Sequence, residues 1–166
     1  MAFNKLLNFV PATKSVASTG LPTLRQPMSK ALRCNGDNMS LKVDHITILV
    51  KSLKESMPYY TKLLGLIGFD KLRDFVWTDN EGFFIQFNQA KEGTSEYERY
   101  GAGMNHIGFS APSPEFVTDL QTKMKESGFV VPEIQDFDGV KALFMKDPDG
   151  VRFEITYYPP GVAVVD

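Results

Sequence analysis

The sequence predicts an α+β protein made of two successive βαβββ modules, with the helices on the outside of the sheets. Three observations carry that reading. The chain's two histidines, His45 and His106, stand in echoed settings, Val43-Asp44-His45-Ile46 and Met104-Asn105-His106-Ile107. Each setting opens a strand-like run that gives way to a stretch of helical periodicity closed by a glycine. Each of those stretches is followed by short runs rich in β-branched and aromatic residues, separated by turn residues.

The first module is expected over about 41–90. Val43 to Val50 reads as a strand with His45, Thr47 and Leu49 on one face and Ile46, Ile48 and Val50 on the other, a greasy face that needs a cover. Ser52 and Glu55 have capping-box spacing, and Leu53, Met57, Tyr60, Leu63 and Leu64 then recur at helical intervals until Gly65. Pro58 falls inside that helix, past its first turn, where it removes a hydrogen bond. Strands are expected near Phe69 to Arg73, Phe75 to Thr78 and Phe83 to Asn88, with a turn at Asp79-Asn80-Glu81-Gly82.

A polar linker at about 91–103 separates this from a second module over about 104–158, the two making one domain over 41–160. Asn105 to Ser110 is its first strand, with His106, Gly108 and Ser110 on one face. Ser113-Pro114-Glu115 supplies an N-cap, a proline at the first helical position and an acidic first turn; Phe116, Leu120 and Met124 form the stripe, and Gly128 the stop. Val130-Val131, Ala142 to Met145 and Val151 to Tyr157 read as strands, the last two joined by the turn Asp147-Pro148-Asp149-Gly150.

Composition narrows the class of protein. At 166 residues and 43% hydrophobic content there is material for a real core. A net charge of -2, with no basic cluster interleaved with aromatics, excludes nucleic acid as an expected partner. No apolar run approaches the roughly 20 residues of a membrane span. The single Cys34 cannot form an internal disulfide. Charge is unevenly placed: residues 1–36 hold five cations and no acid, and Phe3, Leu6, Leu7 and Val10 form a short apolar stripe that Pro11 stops. Segment 1–38 therefore reads as a transit peptide for a mitochondrion or plastid, as an arm, or as an upstream start with Met28 or Met39 as initiator. Without a transit peptide the expected location is cytoplasmic.

The last strand of each module carries one polar residue in an apolar run, Gln86 in Phe83-Phe84-Ile85-Gln86-Phe87 and Glu154 in Val151-Arg152-Phe153-Glu154-Ile155. Alternation sets Phe84, Gln86 and Asn88 on one face, and Arg152, Glu154, Thr156 and Tyr158 on the matching face of the other strand. If the modules pair about a pseudo-two-fold axis, His45, Gln86, His106 and Glu154 converge. Two imidazoles, a carboxylate and an amide oxygen leave positions open for water or substrate, the mark of a catalytic divalent site. A lone strand histidine is more often a hydrogen-bonded core residue, but here both occupy the repeated position, and an ionised Glu154 among Phe153, Ile155 and Tyr157 needs a partner.

These pieces, VDHITILV, the helix ending in KLLGL, NHIGFSA and KDPDGVRFEI, resemble the vicinal oxygen chelate superfamily from about Leu41 to Tyr158. That superfamily contains glyoxalase I, methylmalonyl-CoA epimerase, extradiol dioxygenases, fosfomycin-resistance transferases and bleomycin-binding proteins. The resemblance implies paired βαβββ modules curled into an open, mixed β-barrel around a divalent ion, here Zn, Ni, Mn, Co or Fe, and maps the ligands onto His45, Gln86, His106 and Glu154. It further implies a small oxygenated substrate handled through a metal-stabilised enediolate or enolate, as in a lyase or epimerase, with Glu154 doubling as general base. The alternatives are an Fe(II) dioxygenase using His45, His106 and Glu154, and a binding or resistance protein. Thr47, Phe84, Asn88, Ser110, Phe144 and Tyr158 are expected to line the substrate cup. Arg73 and Arg99 are the candidate glutathione-binding arginines. Small two-module members usually form homodimers, and one is expected here, with the site either within one chain or across two.

Overall fold

The computed structural model describes residues 41–162, so everything expected of segment 1–38 lies outside the described residues. The described residues lie in one compact unit. Its element order repeats strand, helix and three strands: β1 (His45–Val50), α1 (Leu53–Leu66), β2 (Asp70–Arg73), β3 (Val76–Thr78) and β4 (Phe84–Gln89), then β5 (Ile107–Ser110), α2 (Pro114–Glu126), β6 (Gln135–Phe137), β7 (Val140–Lys146) and β8 (Arg152–Tyr157). The first sheet runs β1-β4-β3-β2 and the second β5-β8-β7-β6. In each, the first strand lies parallel to the last and the other pairs are antiparallel. The two βαβββ modules and the α+β class are therefore as the sequence predicts. No helix among the described residues is long and apolar enough to cross a membrane.

Capping explains where the helices begin. Ser52 accepts the Glu55 N–H on its side chain, and Ser113 accepts the Phe116 N–H with Pro114 next to it. Their ends match as well, but not at Gly65. That glycine lies inside α1, and the stop is Gly68, at φ +91°, with the Phe69 N–H reaching back to the Leu64 carbonyl. Gly128 does the same at φ +85°, with the Phe129 N–H on the Met124 carbonyl. A helix ends where the backbone turns left-handed and an apolar residue follows to close it, and Phe69 and Phe129, not Leu66, stand in that place.

A second correction concerns Val130-Val131, which is not a strand. Val130 is exposed and Pro132, without an N–H, follows within two residues; its carbonyl takes the amide of Gln121 at 2.7 Å. The strand comes later, at Gln135–Phe137. Gln121 thereby joins Val117, Leu120 and Met124 on the buried face of α2, while Phe116 is only half-buried. In α1, Ser56 and Tyr59 are buried with Tyr60, Leu63 and Leu64, and Leu53 and Met57 sit at the margin.

One hydrophobic core serves both modules. Ile48, Val50, Ile85 and Phe87 from the first sheet meet Leu143, Met145, Phe153 and Ile155 from the second, with the two helices contributing the remainder. Tyr60 joins the two sheets, its ring 4.1 Å from that of Phe87 and 5.5 Å from that of Phe153. By period two, the opposite face of each sheet is left outside this core. Those are the faces that carry the histidines.

Candidate metal and substrate site

In the first module, β1 and β4 are in register with His45 opposite Phe84, Thr47 opposite Gln86 and Leu49 opposite Asn88. All six share the outer face. The Gln86 amide donates to Thr47 Oγ1 at 2.6 Å, which fixes its nitrogen and leaves its oxygen as the free donor atom for a cation. His45 Nδ1 lies 3.0 Å from Asp44 Oδ1, so that Nε2 is the available ring nitrogen. Phe84, Arg73, Leu72 and Val76 complete a shallow cavity of about 290 Å³ around His45 and Gln86.

The second module repeats the arrangement. His106, just ahead of β5, continues the face of Gly108 and Ser110, which are paired with Glu154 and Thr156. Its Nδ1 lies 2.8 Å from Asn105 Oδ1, and its Nε2 lies 3.0 Å from Glu154 Oε2. The Thr156 hydroxyl donates to the other carboxylate oxygen at 2.6 Å. The Glu154 side chain is only 16% exposed, so these two contacts are what make an ionised carboxylate tolerable there. A cavity of about 730 Å³ opens over the pair, lined also by Ser110, Phe144, Tyr158, Arg99 and Arg152.

The residues expected at the site thus fall into two groups. His45, Gln86, Thr47 and Phe84 gather on the first sheet; His106, Glu154, Ser110, Phe144 and Tyr158 gather on the second. Asn88 shares the first face but is exposed and borders neither cavity. The two ligand pairs line separate cavities, and no cluster of three or more His, Cys, Asp and Glu side chains occurs among the described residues. Their convergence on one point, expected if the modules closed around it, is not made within a single chain.

Asp44 and Asn105 are the residues that sequence reasoning passed over. Each sits directly before a histidine in the echo, and that repetition was the available signal. Arg152 and Thr156 lie on the face where alternation places them, but nothing in the sequence marked them for a role. The donor set itself suits a divalent cation: two imidazoles, each held at Nδ1 by the oxygen of the preceding residue, a carboxylate and an amide oxygen.

This fold coincides with that of a known family. The model of the Glyoxalase/Bleomycin resistance protein/Dioxygenase superfamily matches residues 42–155, and the chain belongs to that superfamily. Among its relatives, Uncharacterized protein YqjT of Bacillus subtilis (strain 168) is 29% identical over 121 residues, spanning 67% of this chain and 94% of that one. Glyoxylase I 4 of Arabidopsis thaliana is also 29% identical, over 68% of each chain. The crystal structure of a glyoxylase/bleomycin resistance protein/dioxygenase domain from Frankia sp. EAN1pec shares the fold with a TM-score of 0.62 at 20% identity, over 75% of this chain and 96% of that one.

Proposed function

We propose that this protein is a divalent-metal-dependent enzyme that moves a proton next to a carbonyl in a small oxygenated substrate, in the manner of a glyoxalase-type lyase or an epimerase. Its site is completed between two copies of the chain, His45 and Gln86 of one copy facing His106 and Glu154 of the other. The observation that carries this reading is the mirrored pair of half-sites, each with an imidazole held at Nδ1 and a second oxygen donor beside it. Both histidines lie at the β1 and β5 edges of their sheets, where a second molecule can approach.

A cation held by these four side chains supplies stabilisation for negative charge developing on a substrate oxygen. The protein's own groups do the rest. Glu154, held by Thr156 and His106, is the base placed to accept the carbon-bound proton. Asp44 and Asn105 keep the two rings oriented. Phe144, opposite Glu154 on the neighbouring strand, helps to exclude water.

The assembly is tested by mixing inactive variants. His45→Ala and His106→Ala each lose metal and activity alone; unfolded and refolded together at equal amounts, they regain about a quarter of the sites, since half the dimers are mixed and each mixed dimer has one intact site. No recovery overturns the shared site. The reaction is tested by elemental analysis after metal supplementation, then by assays with methylglyoxal plus glutathione, methylmalonyl-CoA and catechols. Ring cleavage of a catechol with Fe(II) would replace this reading by a dioxygenase, and absence of stoichiometric metal by a binding protein.

A further inference from the structure

The larger cavity contains an arginine, Arg152, that makes no ion pair among the described residues. Arg152 is 8% exposed and lies on the cavity face of β8, two residues before Glu154. Its Nε is buried without a hydrogen-bond partner, and its guanidinium carbon sits 4.7 Å from the centre of the Phe144 ring. Among the described residues it has no carboxylate partner. Glu154, on the same face, is already engaged by His106 Nε2 and the Thr156 hydroxyl. The cross-strand neighbour of Arg152 is Lys146, a second cation. Arg99 lines the same cavity, and its Nε is likewise buried and unpartnered.

Arginine is seldom buried unless it is paired, and like charges on facing strand positions repel. A fold that retains both features has a use for the charge. We propose that Arg152, with Arg99, is the docking subsite for a carboxylate carried by the molecule that fills this cavity. The planar guanidinium fork matches a carboxylate in two parallel hydrogen bonds, and the ring of Phe144 holds the fork flat for it. The remaining lining, Phe109, Phe137, Val140 and Ala142 with Phe144, suits an apolar body. Two residues along a strand separate Arg152 from Glu154 by roughly 7 Å at the backbone, a span that one small molecule bridges. The ligand class is therefore a small carboxylic acid with a second oxygen function and an apolar body. Its second oxygen meeting a metal ion rests on the proposed function above; the anion subsite does not.

The test uses full-length protein stripped of metal with a chelator and titrated by calorimetry with α-hydroxyisocaproate and with its uncharged amide. The acid is expected to bind at least about 10-fold more tightly than the amide, a preference of the size a charged hydrogen-bonded pair produces. Arg152→Met should bring the ratio to about one, and Arg152→Lys should retain part of it because charge remains while the fork is lost. If Arg152→Met does not fold, Arg99→Gln and Arg152→Lys carry the comparison, each with a reduced ratio. Equal binding of acid and amide by the unaltered protein, or an undiminished preference in the variants, overturns the subsite. His106→Ala should lose metal and keep the preference. Lack of metal binding with the preference intact removes the metal reading alone, whereas metal binding without preference removes this one.

Discussion

Asp44 and Asn105 each hold the Nδ1 nitrogen of the histidine that follows them. Outer partners of this kind orient a ligand and raise its basicity, and their loss typically costs metal affinity about 10-fold to 100-fold. Asp44→Ala and Asn105→Ala should each weaken the binding of zinc by that factor in chelator competition, with unchanged stoichiometry at saturation. Asp44→Ala should cost more, because a carboxylate polarises the ring and an amide oxygen does so less. The echo made the histidines and the Gln86/Glu154 pair legible, because period two assigns each to a face whatever the rest of the chain does. The same rule concealed Asp44 and Asn105. Neighbours in a strand are assigned to opposite faces, and their hydrogen bonds arise only because each histidine lies at a strand end, where the backbone is free to turn.

At the scale of elements, the β7–β8 turn is the joint between modules. Asp147 accepts the Val151 and Asp149 N–H groups at 2.7 and 2.9 Å and the Tyr60 hydroxyl of α1 at 2.5 Å. Asp149 accepts the Lys51 N–H and the Ser56 hydroxyl at the start of α1. Burial pushes the Asp147 carboxyl above its ordinary range, against the pull of Tyr60 and the backbone donors. Burial, and then the charge of Asp147, pushes the Tyr60 hydroxyl up as well. A raised carboxyl contributes stability that is present below its unfolded pKa and is lost as pH rises through the folded one. Tyr60→Phe removes a donor to the charged form and raises the Asp147 pKa further. Its cost should be about 1–2 kcal/mol at neutral pH and should shrink as pH falls through the raised Asp147 pKa and the carboxyl becomes neutral, measured by urea unfolding at neutral pH and in acid. The turn itself was readable from Asp147-Pro148-Asp149-Gly150, with Gly150 at φ +88°. Its docking onto α1 was not, because nothing local shows which helix a turn will meet.

For the whole molecule, the shared core leaves both histidine faces open, and Leu49 is 60% exposed on the first of them. In the proposed dimer, a large aliphatic side chain so placed, beside His45 and Thr47, is one that the second copy would cover. Leu49→Glu should shift the protein to monomer in sedimentation and lower its metal content together, with far-UV circular dichroism unchanged. An unaltered sedimentation profile, or a monomer that keeps full metal content, would separate the site from the dimer.

Hydrophobic periodicity, two capping serines and a pair of echoed histidines were enough to lay out both modules and to place each proposed ligand on its face. Each of those signals acts over a few residues and survives any arrangement of the rest. The helix stop at Gly68, the late strand at Gln135–Phe137 and the buried, unpartnered Nε of Arg152 needed tertiary contacts to become visible. So did the separation of the ligand pairs. The helices and the inner faces of both sheets bury one common core, and a strand that turns one face to that core must turn its ligands away from it.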